Sequence, residues 1–319
     1  MTGVALFLLD HSTPFWRSGH DPNQGRRSGG GPASARAFVK MELEPPESTA
    51  NVQKKYDRGR QMLAALVSSI ERKKARLDGL RPMAMDALAR LQKHYDVELT
   101  YTSNAIEGNA LTLRETAEVI EHGITVGGKS LRDHLEAVDH YGALQWMRER
   151  AATGIPLDED AVRELHRRIV ARSQSEIAGV YSQLPRRIAG SPVIFPNPAK
   201  IPQLMADVGA WLASAPSDPA TAFLAHFRLT AIHPFGDGNG RTARLLMNLM
   251  LIRGGFPPVA VRPEDRKTYL AALERGSLAE NLGPLQLFMH QRLDATLSDY
   301  LSVLSEASSR SETPREAAP

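Results

Sequence analysis

Residues 233 to 244 read His233-Pro234-Phe235-Gly236-Asp237-Gly238-Asn239-Gly240-Arg241-Thr242-Ala243-Arg244. The stretch combines a titratable base, a hard oxygen ligand, a flexible turn and two permanent cations. Gly238 and Gly240, on either side of Asn239, allow left-handed backbone and close approach to a ligand. A helix is expected to open at about Arg241 or Thr242. Its unpaired N–H groups and positive dipole end would then face the Gly-Asn-Gly turn, which is the arrangement of an anion site. Arg241 and Arg244 are three residues apart, so both can project towards one anion. Asp237 beside them suits Mg²⁺ carried on a polyphosphate. His233 titrates near neutrality and can act as a general base. Taken singly, a His before a Gly-rich turn is an ordinary structural corner. All of these residues together, with the apolar helix of Leu245, Leu246, Leu249 and Leu251 behind them, point to phosphate chemistry.

The elements that position this stretch read as helices. From Val52, Leu63, Leu66, Ile70, Leu77 and Leu80 recur at helical spacing among Lys and Arg, the pattern of an amphipathic helix. Further helices are expected over Met85–His94 and from about Val97 to Glu107, the second stopped by Gly108. Thr112-Leu113-Arg114-Glu115 and Ser130-Leu131-Arg132-Asp133 read as capping boxes, the second in its shorter acidic variant. Helices also fit 158–171, 201–213, 219–232, 242–253 and stretches of 266–301. Gly190 to Pro198 reads instead as extended chain. The fold class is therefore all-α with one small β-hairpin. Gly123-Ile124-Thr125-Val126-Gly127-Gly128-Lys129-Ser130 also matches the GxxxxGK(S/T) phosphate loop. That motif needs a buried strand before it; here a capped helix precedes it, and Ser130 is explained as an N-cap.

Composition narrows the function classes. The chain has 319 residues, 42% apolar and 24% charged, with 39 basic against 36 acidic side chains and no Cys. Thiolate metal sites, disulfides and Cys nucleophiles are excluded. So small a charge excess argues against nucleic acid as a partner. No apolar run reaches the ~18 residues of a membrane helix. Val4 to Leu9 is too short, and lacks the basic flank, for a signal peptide. A cytoplasmic location is the expectation. Residues 1–48, with Gly29-Gly30-Gly31-Pro32, have no apolar periodicity and read as a disordered extension. The remaining division is a helical segment over 49–100, a main domain over 101–305 and a polar tail over 306–319.

The segment 233–244 resembles the signature HxFx(D/E)GNGRxxR of the Fic (filamentation induced by cAMP) family at every defined position. The resemblance runs from about Leu80 to Leu301. It includes Thr102-Ser103-Asn104-Ala105-Ile106-Glu107-Gly108-Asn109, similar to the family's inhibitory motif (S/T)xxxE(G/N). It implies an all-α enzyme transferring AMP from ATP, with Mg²⁺, to a hydroxyl of a target protein; a homodimer is compatible with it. By resemblance, His233 would deprotonate the hydroxyl and Asp237 would hold Mg²⁺. Gly238, Asn239 and Gly240 would form the anion hole, with Asn239 on the α-phosphate and Thr242 at the nucleotide. Arg241 would bind the β-phosphate and Arg244 the γ-phosphate. Tyr269 and Leu270 fall where the family contacts adenine. The extended segment would be a flap that pairs with the target chain, beginning at Arg187-Ile188-Ala189-Gly190. That start is more basic than the usual apolar one, and Pro192 limits its hydrogen bonding.

Glu107 and Ser103 are four apart and share a helical face. In the family this Glu pairs with the second motif arginine, Arg244 here, and blocks the γ-phosphate. Three rival readings stand beside an autoinhibited adenylyltransferase. The same site could remove AMP, with Glu107 orienting a water. A Doc-like kinase reaction with reversed ATP is opposed by Gly240, which that branch replaces with a bulkier residue. A non-catalytic nucleotide-sensing or DNA-binding module is opposed by the intact His233 and by the lack of a helix-turn-helix signature.

Overall fold

The computed structural model describes residues 49–81, 85–279 and 281–312. The expected N-terminal extension lies outside the described residues. Ten α-helices are formed among those described: α1 (Thr49–Gly79), α2 (Met85–Ile106), α3 (Leu113–His122), α4 (Leu131–Ala152), α5 (Glu159–Ile169), α6 (Ile201–Ser214), α7 (Pro219–Ile232), α8 (Asn239–Arg253), α9 (Arg266–Ala279) and α10 (Gly283–Glu312). α8 is the central rod. Leu245 through Leu251 are all buried, because α7, α4, α5 and α2 surround it. A helix that is apolar on every side has to be packed on every side. α1 lies along α10, and α10 also contacts α9, α2 and α7. One large hydrophobic cluster runs through these helices, with a small satellite of Leu111, Val119 and Ala137 under α3.

Local sequence accounts for the helix starts. The Glu115 N–H donates to Thr112 Oγ1 at 3.3 Å, and the Thr112 N–H donates to Glu115 Oε2 at 2.7 Å, closing a full capping box. The Ser130 box closes equally well with the shorter Asp133, at 3.1 and 3.2 Å. α5 starts on Asp158, which accepts the Ala161 N–H at 2.9 Å. It carries Glu159 and Asp160 in its first turn and His166, Arg167 and Arg168 in its last, charges that complement its dipole. The phosphate-loop look-alike is the α3–α4 connection. A helix precedes it, and Lys129 Nζ donates to the Ala110 carbonyl at 2.5 Å.

Four expectations need correction. The helices expected over Met85–His94 and Val97–Glu107 are one helix, α2. Asp96, at the apparent break, is buried and accepts from Arg148 Nε at 2.8 Å and Gln145 Nε2 at 3.0 Å, both on α4. α8 begins at Asn239, inside the signature and ahead of the expected start. The start of the expected polar tail, through Glu312, is the end of α10. The flap forms no paired hairpin. Among the described residues there is no strand, only an isolated antiparallel bridge between Tyr181 and Phe235. Residues 188–191 make a turn, with the Ser191 N–H donating to the Ile188 carbonyl at 3.1 Å.

Candidate active site

His233 closes α7. Its N–H donates to the Leu229 carbonyl at 3.0 Å, and its backbone is left-handed, at φ 53°. It is the one non-glycine residue with positive φ among those described, a conformation that costs energy and clusters at functional sites. The turn swings the imidazole out of the helix register and stacks it on Phe195, with ring centroids 4.2 Å apart. Burial pushes the imidazole pKa down; a hydrogen bond to the Thr230 backbone and the charge of Glu107 oppose the shift. The ring is therefore held neutral near neutral pH, the form a proton acceptor needs.

The turn after His233 is clamped from three sides. Asn239 Oδ1 accepts the Phe235 N–H and its Nδ2 donates to the Phe235 carbonyl, both at 2.9 Å. The Ser182 N–H donates to the Pro234 carbonyl at 2.8 Å. His166 Nδ1 accepts the Gly179 N–H at 2.9 Å, so its proton sits on Nε2, which donates to the Asp237 carbonyl at 3.0 Å. The His166 ring also stacks on Phe235 at 3.7 Å, and burial lowers its pKa to about 4. Gly238 then turns left-handed at φ 73° and α8 starts with no side-chain cap. Its first-turn N–H groups and dipole end suit an anion.

Both signature arginines are buried. Arg241 lies between carboxylates, 3.5 Å from Glu136 Oε1 and 3.6 Å from Asp237 Oδ1, and its buried Nε has no hydrogen-bond partner. Arg244 donates from Nε to Ser103 Oγ at 2.9 Å and from Nη2 to the Ser103 carbonyl at 2.8 Å. The same Nη2 meets Glu107 Oε1 at 2.7 Å. Burial alone would lower the Arg244 pKa, but the Glu107 charge raises it overall. Glu107 stands just past the end of α2, and Arg266 on α9 donates to the last α2 carbonyl, of Ile106, at 2.9 Å. A Cβ at position 240 would collide with Glu107 Oε1 and come within 3.0 Å of Arg244 Nη1. The Glu107 carboxylate thus lies directly over the α8 N-terminus.

Asp237 is the carboxylate of the signature turn. Its Oδ1 accepts the Gly238 N–H at 2.7 Å; its Oδ2 accepts from Gln174 Nε2 at 2.5 Å and Arg132 Nη2 at 2.9 Å. Burial would raise its pKa, but Gln174, Arg241, the Gly238 N–H and Arg132 together hold it below the usual carboxylate value. No group of three or more His, Asp or Glu gathers into a metal cluster among the described residues. One carboxylate beside an open helix N-terminus fits Mg²⁺ that takes its other ligands from phosphates and water.

Three expected ligands are turned away from the cleft. The Asn239 side chain is spent on Phe235, which leaves only its backbone N–H for an anion. Thr242 Oγ1 donates to the Gly238 carbonyl at 2.8 Å inside α8. Tyr269 is 1% exposed; its hydroxyl bonds His226 Nε2 at 2.8 Å and also meets Arg244, so it braces the arginine and offers no face to a base. Leu270 beside it is exposed. In the flap, Arg187, Ile188, Ala189 and Gly190 are exposed, with Gly190 at φ 78°. Ser191 Oγ ties the segment to Glu274 on α9 at 2.9 Å.

Sequence reasoning missed Arg132, Glu136, His166, Gln174, Arg186 and Phe195. Arg186 reaches over the signature loop, with Nη2 3.0 Å from where a Cβ on Gly236 would stand. The one local signal was Arg132-x-x-x-Glu136, an i,i+4 pair on a helix face.

Comparison with known proteins agrees with this geometry. Residues 156–251 match the Fic/DOC family. The chain is 32% identical over 276 residues to the protein adenylyltransferase Fic of Nematostella vectensis, covering 84% of this chain and 62% of that protein. It is 32% identical over 258 residues to the protein adenylyltransferase fic-1 of Caenorhabditis elegans, covering 76% of this chain and 50% of that one. The chain therefore spans only part of the length of these relatives. Among solved structures, Fic-1 from C. elegans superposes with a TM-score of 0.68 at 29% identity, covering 82% of this chain and 78% of that one. A Fic domain containing signaling protein from Bacteroides thetaiotaomicron superposes with a TM-score of 0.69 at 28% identity, covering 75% and 97%. With the signature residues gathered at one helix N-terminus and these alignments running across most of the described helices, residues 156–251 carry a domain of the Fic/DOC family.

Proposed function

We propose that this protein is an adenylyltransferase that moves AMP from ATP to a hydroxyl side chain of a target protein and is held inactive by Glu107. The observation that carries this reading is the position of Glu107, with its carboxylate on Arg244 and over Gly240. A site that needs a carboxylate to fill it is built for anions. In the reaction the target hydroxyl oxygen forms a bond to the α-phosphorus, and the bond from that phosphorus to the oxygen of the β-phosphate breaks. Pyrophosphate leaves, and the hydroxyl proton passes to the neutral His233 ring. The α8 N–H groups would receive the α-phosphate, Arg241 the β-phosphate and Arg244 the γ-phosphate. Mg²⁺ held by Asp237 would offset phosphate charge. The segment 187–195, carrying exposed Ile188 and Ile194 and ending in Phe195 on the His233 ring, would hold the target backbone as a flap.

One observation favours the reverse, hydrolytic direction as a second reading. The Glu107 charge acts on His233 as well as on Arg244, so the pair could orient a water against an AMP-modified hydroxyl. The test is to incubate Glu107→Gly with candidate targets and ATP labelled at either the α- or the γ-phosphate. Adenylyl transfer retains only the α-label on protein. Retention of the γ-label, or no retention of either, refutes the proposal. Release of AMP from pre-modified target by the wild type alone would favour the second reading.

A further inference from the structure

Both oxygens of the Asp237 carboxylate are engaged in this structure, although its side chain is 37% exposed. It accepts hydrogen bonds from the Gly238 N–H at 2.7 Å, Gln174 Nε2 at 2.5 Å and Arg132 Nη2 at 2.9 Å, and Arg241 Nη2 stands 3.6 Å away. An ionised carboxylate offers about four acceptor positions, and a divalent cation on Oδ2 competes for them with Gln174 and Arg132. The Gly238 N–H is fixed by the backbone, and Arg241 is buried. Gln174 is neutral and does not repel a cation. Arg132 is a full positive charge in the metal's place, and its side chain is 58% exposed on α4. It also bonds Glu136 Oε1 at 3.0 Å, so it can leave Asp237 and keep a carboxylate partner. We propose that Arg132 is a built-in stand-in for the metal, a gate that competes with the divalent cation for Asp237. The free site then carries two internal substitutes: the Glu107 carboxylate for a phosphate and the Arg132 guanidinium for the cation.

This inference rests on the reading of Asp237 as a metal ligand, and the test separates the two. ADP is the probe, because it supplies phosphate oxygens for Mg²⁺ yet lacks the γ-phosphate that Glu107 opposes. ADP affinity is measured by calorimetry across a Mg²⁺ titration for the wild type, Arg132→Gln, Arg132→Lys and Asp237→Ala. Removing the competing pair should lower the Mg²⁺ midpoint of Arg132→Gln by about two- to fivefold, the scale of an exposed ion pair. Its ADP affinity without Mg²⁺ should be unchanged, and Arg132→Lys, which keeps the charge, should stay near the wild type. An unchanged midpoint in Arg132→Gln overturns the gate. So does weaker ADP binding without Mg²⁺, which would make Arg132 a phosphate ligand. If Asp237→Ala keeps the wild-type Mg²⁺ dependence, the metal-ligand reading itself fails. Thermal unfolding of the two Arg132 variants, expected to match the wild type at so exposed a position, excludes a folding defect.

Discussion

Replacing either partner of the Glu107–Arg244 pair breaks one ion pair, yet the two replacements should change the rate in opposite directions. Arg244 Nη2 meets Glu107 Oε1 at 2.7 Å, with the arginine buried and the glutamate side chain 36% exposed. A charge-assisted hydrogen bond contributes about 1.5–3 kcal/mol. For ATP to reach Arg244 it must first displace this bond, so Glu107→Gly should speed AMP transfer by about 10- to 150-fold. The exposure of Glu107 favours the lower end, because water already competes for its carboxylate. Arg244→Ala also frees Glu107, but it deletes the cation that would orient the terminal phosphate. Transfer should then fall by about 10-fold or more, because the transition state is deprived of a charge-assisted hydrogen bond of the same strength. The double variant should resemble Arg244→Ala. Auto-modification with α-labelled ATP reads all three. If Glu107→Gly is no faster than the wild type, or if Arg244→Ala gains activity as Glu107→Gly does, the glutamate is a structural partner and not an inhibitor.

Two further outcomes follow from groups around the signature turn. Asn239→Ala strands the buried Phe235 N–H and carbonyl, each worth about 1–3 kcal/mol when left unpaired, so urea unfolding should show a loss of at least ~2 kcal/mol; a change under about 0.5 kcal/mol would refute the clamp. Burial lowers His140 and His226 to about 3 and His166 to about 4, from 6.5. The unfolded chain therefore takes up protons first on acidification, and the stability these groups confer is full above pH 6.5 and is lost as pH falls towards 4. The urea midpoint should drop steadily over that window at constant salt; a flat profile would mean that these rings are not buried neutral.

How far the sequence could be read depended on whether the deciding interaction was local. The capping boxes at Thr112 and Ser130 formed as expected because their hydrogen bonds span three residues. The gathering of His233, Asp237, Arg241 and Arg244 at one turn was legible for the same reason. The uses of Asn239, Thr242 and Tyr269 were not, since a motif gives residue order but not side-chain direction. Thr242 bonds back to Gly238 because α8 opens two or three residues early, and Tyr269 points inward because His226 and Arg244 await it there. α2 was read as two helices on either side of Asp96, whose buried place is set by Arg148, 52 residues away. The partners of Asp237 likewise come from 63 and 105 residues distant, at Gln174 and Arg132. No local pattern announces such pairs.

On the proposed mechanism, a neutral His233 ahead of the α8 anion cradle accepts the proton of a target hydroxyl as AMP is transferred. Comparing Glu107→Gly with Glu107→Gly/His233→Ala tests it most directly, by label retained on protein from α-labelled ATP alongside ATP binding measured by calorimetry. The cradle and both arginines hold their positions through Ser103, Glu136 and Asn239, none of which contacts the imidazole through a hydrogen bond. Transfer should therefore fall by at least ~10²-fold, the usual cost of removing a general base, with ATP affinity within a few-fold of the parent. Transfer at the parent rate in the double variant would contradict it.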